Sequence, residues 1–125
     1  MSITKEAVQS VDLAILASFD EAQEPGEPDF VVELIDLYLE EAPRFFSSIR
    51  EGLANNDWLS ARRAAHSLRG SSSNLGILQL ALIAGALEHL TANQDASAAE
   101  LLQGLEDEFA QVAEILLAER QRRLS

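Results

Sequence analysis

WLSARRAAHSLRGSSSNLG, residues 58–76, is the stretch whose spacing settles the fold class. At 100° per residue Ala61, Ala65, Leu68, Ser72 and Leu75 fall on one face, an apolar stripe that must be buried; a strand would need apolar residues at every second position. The stretch is therefore predicted to be a helix, with Gly76 placed to close it and Trp58 anchoring its start in the core. His66 lies roughly 120° from the centre of the stripe. It shares its side with Arg62, Arg69, Gly70 and Ser73, all at helix-neighbour spacings, so the imidazole is expected to reach solvent. Gly70 in a helix interior costs about 1 kcal/mol relative to alanine. A local rule broken one turn from a histidine is a pointer to function.

The same period extends in both directions, and β-branched runs with two-residue alternation are missing. Upstream, Asp29 is placed to N-cap a long helix with a stripe of Phe30, Leu34, Leu37, Phe45, Ile49 and Leu53. Pro43 inside it removes one backbone donor, so a kink or break is expected near Ala42. Asn55-Asn56-Asp57 ends that helix and caps the next. Downstream, a further helix is expected from Ile77 to about Asn93. Ser97-Ala98-Ala99-Glu100 then matches a capping box for a last helix, Ala98 to about Arg122, with acids in its first turns and Arg120, Arg122 and Arg123 at its end. Ser10 and Asp12 can start a short helix over about 11–19 that carries Leu13, Leu16 and Phe19; the acidic, proline-broken stretch Asp20 to Pro28 is expected to be a surface loop. Four long helices with short connections predict an all-α fold: an antiparallel up-down four-helix bundle over about 29–122, with an additional short N-terminal helix, all in one domain of residues 1–125.

Composition narrows the function. The chain has no cysteine, which removes disulfides, thiolate nucleophiles and thiolate metal sites, and its only histidines are His66 and His89. Nine basic residues against 21 acidic ones give a formal charge of −12, a field that repels phosphate backbones and anionic lipid, so neither nucleic acid nor membrane is an expected partner. The opening MSITKEAVQS lacks a basic flank followed by an apolar core, and no apolar run is long enough to span a bilayer, so a cytoplasmic protein is expected. No second apolar face is evident, which predicts a monomer. The charge is unevenly spread: the thirty residues from Trp58 to Leu87 hold Arg62, Arg63 and Arg69 and no acid. At the average frequency that window would hold about five acids, so a locally positive or neutral patch around His66 is expected. Taken singly, an exposed histidine among arginines is ordinarily a solvated face, and Gly70 could equally admit a neighbouring helix.

The combination is more specific. His66-Ser67-Leu68-Arg69-Gly70-Ser71-Ser72-Ser73-Asn74-Leu75-Gly76 closely resembles the signature of histidine-containing phosphotransfer (HPt) domains, which relay phosphoryl groups between response-regulator receiver domains. Glu41-Ala42-Pro43, Asn56-Asp57-Trp58 and Leu87-Glu88 extend the resemblance over nearly the whole chain. It implies that His66 accepts a phosphoryl group through Nε2 from a receiver aspartate and passes it to another receiver. It further implies that Arg69 stabilises the phosphate charge and that Gly70 gives the receiver clearance. Arg69 departs from the lysine most common three residues after the histidine, retaining the charge with a different geometry. Glu88, twenty-two residues on, is the candidate partner of the second ring nitrogen. Ser73 and Arg62 are supporting candidates, Arg62 and Arg63 as steering charges, and Leu13, Leu16 and Leu59 are candidates for receiver docking. His89 is expected to be a plain surface residue. No metal site and no cofactor are expected on this chain, since magnesium and its acidic pocket belong to the receiver in this family. The protein is then a phosphoryl carrier without autonomous catalysis, partnered by receivers and a hybrid histidine kinase, and expected to be a free-standing shuttle. Two alternatives stay open: the phosphorylation domain of a chemotaxis-type histidine kinase, and a helical module that docks receivers without phosphotransfer.

Overall fold

The computed structural model describes residues 8–125; residues 1–7, on which the expected absence of a leader partly rests, lie outside the described residues. The described chain forms α1 (Leu13–Ala17), a 3₁₀ turn (Ser18–Ala22), and four long helices, α2 (Phe30–Ala54), α3 (Trp58–Asn74), α4 (Leu78–Ala92) and α5 (Ala98–Leu124). Helix α2 packs on α3 and α5, and α4 packs on the same two, so consecutive helices are neighbours and the square closes between the second and the last. Among the described residues no helix is long and apolar enough to cross a membrane.

Local chemistry explains most helix starts. The carboxylates of Asp12, Asp29 and Asp57 accept the backbone N–H groups of Ala14 (3.0 Å), Val32 (3.1 Å) and Ser60 (3.1 Å), filling donors that the first turn leaves unpaired. The Ser60 hydroxyl also donates to Asp57, and these two bonds hold its carboxyl below the usual range. The capping box at Ser97 does not form. The Ser97 hydroxyl instead donates to Asp95 at 2.7 Å, and its backbone N–H reaches the same oxygen at 2.9 Å. The Asp95 carboxylate takes the N–H that Glu100 would accept in a capping box, and Ser97 itself already has helical dihedrals in place of the extended ones of an N-cap. Helix α4 has no side-chain cap at all: the N–H groups of Leu78 and Gln79 donate to the main-chain carbonyls of Ser10 and Gln9, both at 3.1 Å. The segment before α1 is thereby strapped across the α3–α4 turn, with a third bond from Asp12 N–H to the Gly76 carbonyl at 2.7 Å.

Gly76 is the residue that this strap cannot do without. Its φ is +80°, and a Cβ there would stand 2.8 Å from both the Asp12 carbonyl oxygen and the Ile15 Cβ. Gly76→Ala is expected to lower stability by about 3 kcal/mol, combining left-handed strain with an overlap against backbone that cannot retreat. A urea midpoint measures the loss, and faster amide exchange at Leu78 and Gln79 would trace it to the strap.

Two expectations about packing are corrected, and no break interrupts α2. Helix α2 is unbroken through Pro43, which sits on the exposed side while Tyr38, Ala42, Phe46 and Ile49 continue the buried line past it. The buried line of α2 is Val31, Ile35, Tyr38, Ala42, Phe46 and Ile49; of the predicted stripe only Ile49 belongs to it. Phe30, Leu34, Phe45 and Leu53 are half-buried, and Leu37 is 53% exposed. The predicted stripe lies along the edge of the wide arc that α2 buries between two neighbours. Leu16, a docking candidate, is 1% exposed: the short helix turns Leu16 inward, beside Val11 of the segment before it, and leaves Leu13 and Ile15 outside.

The stretch after α1 begins as a 3₁₀ turn and is organised by Gln23, whose side chain accepts from Phe30 N–H at 2.7 Å and donates to the Pro28 carbonyl at 3.0 Å. Arg123, at the end of α5, is nearly enclosed and donates to Asp20, Asp29 and Glu119, fastening this stretch to the C-terminus. The Arg122 and Arg123 bonds hold the largely buried Glu119 carboxyl below its ordinary range.

Candidate functional site

The buried stripe of α3 is Ala61, Ala64, Ala65, Leu68 and Ser72, which leaves His66 on the outer side with 61% of its side chain exposed. Ser72 anchors the histidine helix to α2 through a 2.8 Å bond with the Tyr38 hydroxyl, whose own ionisation is pushed up by burial. His66 is thus an exposed group on a rigid support.

Glu88 on α4 comes up beside it. One carboxylate oxygen, Oε2, lies 2.8 Å from His66 Nδ1, and the other, Oε1, accepts from Arg69 Nε at 3.0 Å. Arg69 Nη2 is also 3.2 Å from Nδ1. The two contacts of Nδ1 make opposite demands, since it must donate to a carboxylate and accept from a guanidinium. The shorter contact, to the charged acceptor, assigns the proton to Nδ1 and makes Arg69 a neighbour held by Glu88. In the neutral ring the lone pair is then on Nε2, which has no hydrogen-bond partner among the described residues.

Two glycines frame this cluster for opposite reasons. A Cβ on Gly70 would meet nothing within 4 Å, so no neighbouring helix requires the glycine, and the space beside His66 is open. A Cβ on Gly85 would stand 3.1 Å from Arg69 Cδ, so Gly85 lets the arginine stem lie across α4 on its way to Glu88. Gly85 escaped the sequence reading; its signal was a glycine one turn before Glu88 in a helix otherwise rich in leucine and alanine.

A cleft of about 420 Å³ opens beside the imidazole, lined by Arg62, Arg63, His66, Ser67 and Glu88. The expected acid-poor patch is thus entered by one carboxylate, brought in by α4. Ser73 does not line this cleft; with Arg69 it lines a separate groove formed by Val8, Leu78, Ala81 and Leu82. Leu59 is exposed and shares a groove with Trp58 and Arg62, and Leu13 is exposed on α1. His89 is exposed, with Asn93 as its neighbour. Among the described residues no group of three or more histidines and carboxylates is arranged to hold a metal ion.

The sequence model of the Hpt domain matches residues 33–115. Among solved structures, the fold superposes on histidine-containing phosphotransfer protein B (HptB) from Pseudomonas aeruginosa PAO1 with a TM-score of 0.83 and 31% identity, over 93% of this chain and 98% of that one. It also superposes on the histidine-containing phosphotransfer protein ZmHP2 from maize, with a TM-score of 0.77 and 21% identity over 93% and 88% of the two chains, a likeness that speaks for the fold alone. No curated protein sequence matches the chain. The matched segment covers well over half of the sequence and encloses His66, Arg69, Gly70 and Glu88, and the chain belongs to the Hpt domain family, the histidine phosphotransfer proteins of phosphorelays.

Proposed function

We propose that His66 Nε2 is the atom that carries the phosphoryl group, taking it from the aspartyl phosphate of one receiver domain and giving it to the aspartate of another. The observation that carries this reading is an imidazole open to solvent whose Nδ1 is engaged by Glu88 and whose Nε2 has no partner among the described residues. In the forward step the Nε2 lone pair attacks phosphorus, the acyl O–P bond breaks, and the aspartate leaves as a carboxylate. The ring gains a bond at Nε2 while keeping its Nδ1 proton, and the Glu88 carboxylate compensates the positive charge that develops. Return to a second aspartate reverses these changes.

Phosphoryl transfer of this kind depends mostly on alignment and charge. The chain's contribution is a fixed tautomer and an approach left clear at Gly70; magnesium and the acidic pocket that holds it are assigned to the receiver. The protein acts in this reading as a carrier, a cytoplasmic monomer whose partners are receiver domains and the hybrid kinase that bears one of them. Leu13 and Leu59 are the exposed apolar residues offered to the docking surface.

The test is transfer from a phosphorylated receiver followed by mass spectrometry. The reading expects a single modification on the Ala65–Arg69 segment, at His66, with a label that is labile to acid and stable to base. A label that is base-labile, or one mapped to a carboxylate or hydroxyl, would overturn it.

A further inference from the structure

Of the chain's eight arginines, six have a carboxylate within ion-pairing distance: Arg44, Arg50, Arg69, Arg120, Arg122 and Arg123. The other two, Arg62 and Arg63, make no ion pair among the described residues, although the chain carries 21 acids. Asp57, at the start of α3, is bonded to Ser60, and Glu88, which lines the same cleft as the two arginines, is bonded to His66 and Arg69. Both arginines lie one turn before His66 on α3, and both line the cleft beside it. Arg69 does not line that cleft; its guanidinium is spent on Glu88 and lies on the Nδ1 side of the ring. Nε2 is directed away from Nδ1 across the imidazole, so a group bonded there points away from the side that Glu88 and Arg69 occupy.

Building on the assignment of His66 as acceptor, we infer that Arg62 and Arg63 are the cations that hold the phosphoryl group once it is on Nε2, with Arg69 a positioning residue that acts through Glu88. Before transfer neither arginine has an ion-pair partner among the described residues. Transfer places a group of about two negative charges in the cleft and completes the missing ion pairs, which favours the phosphorylated form. Glu88 also lines the cleft, but its two oxygens are engaged on the Nδ1 side by the ring and by Arg69, so its charge is met there by the ring cation and the guanidinium.

A steering role for the same arginines predicts something different. Steering changes how fast a receiver and this protein reach equilibrium, and leaves the equilibrium constant for exchange between the separated proteins unmoved. Holding the phosphoryl group moves the constant itself. The experiment measures that constant for Arg62→Gln/Arg63→Gln against wild type, using any receiver that exchanges phosphate with the protein. Because both arginines are exposed, circular dichroism should show the fold unchanged. The expected result is a shift toward the phosphorylated receiver of about threefold for each single variant and about tenfold for the double, with Arg62→Lys/Arg63→Lys restoring most of it. A constant within twofold of wild type in the double variant would overturn the inference, whatever happens to the rate. A parallel ³¹P spectrum after treatment with phosphoramidate, which loses ammonia as its phosphoryl group moves to the imidazole, separates the two layers of the argument. In a His89→Gln background, which leaves His66 as the one imidazole, a phosphohistidine signal together with an unmoved constant refutes the arginine assignment alone; no signal refutes the acceptor itself.

Discussion

His66→Gln is expected to reduce phosphoryl acceptance from any receiver to background while leaving the melting temperature within about 2 °C of wild type, as surface substitutions generally do. The side chain is largely in water, so the substitution forfeits little packing. Glutamine keeps an N–H donor for Glu88, so the bridge between α3 and α4 need not be lost. The lone pair is lost, because an amide nitrogen is not a nucleophile at neutral pH and no other group in the cleft replaces it. Transfer assays with labelled receiver, run beside circular dichroism, separate the two effects. Residual transfer at a tenth of the wild-type rate would show that another residue accepts the group.

Gly70→Met is expected to move stability and activity in opposite directions. Methionine is a good helix former, and a side chain at this position meets nothing, so the helix gains about 0.5–1 kcal/mol and the melting temperature rises by about 3 °C. The same side chain then projects into the space beside the imidazole. A misplacement of about 1 Å in a transfer that depends on alignment costs about a hundredfold, and transfer from a receiver should slow by that order. Phosphoramidate is small enough to bypass the obstruction, so the rate of direct phosphorylation should stay within about threefold of wild type, by the same geometric argument. Equal slowing by both donors would mean that Gly70 serves the histidine and not the clearance of a partner.

How much of this was legible from residues alone follows the range of the forces involved. The caps at Asp12, Asp29 and Asp57 were readable because each side chain bonds amides two or three residues away. Ser97 misled because two acceptors competed over an equally short distance, and Asp95 won. The core stripe of α3 was readable because its apolar residues form one narrow line. That of α2 was not, since two adjacent lines are both apolar and only the placement of α3 and α5 selects between them. Leu16 was misplaced for a similar reason: one turn of helix has no clear polar side, and the packing beneath it decides. At the site, the exposure of His66 followed from helical phase. The contact with Glu88 depends on the register between two helices, which no spacing within one chain segment encodes, and the passage over Gly85 depends on that contact in turn.

The strap over α4 carries a consequence for mutational drift. Because the first amides of that helix are satisfied by carbonyls of residues 9 and 10, and not by a serine or aspartate side chain, no exchange of one residue type for another at those two positions deletes the acceptors. The sequence there is free to wander while the alignment of Glu88 against the histidine is inherited intact. The vulnerable partners sit on the donor side, where proline at Leu78 or Gln79 would erase a bond outright.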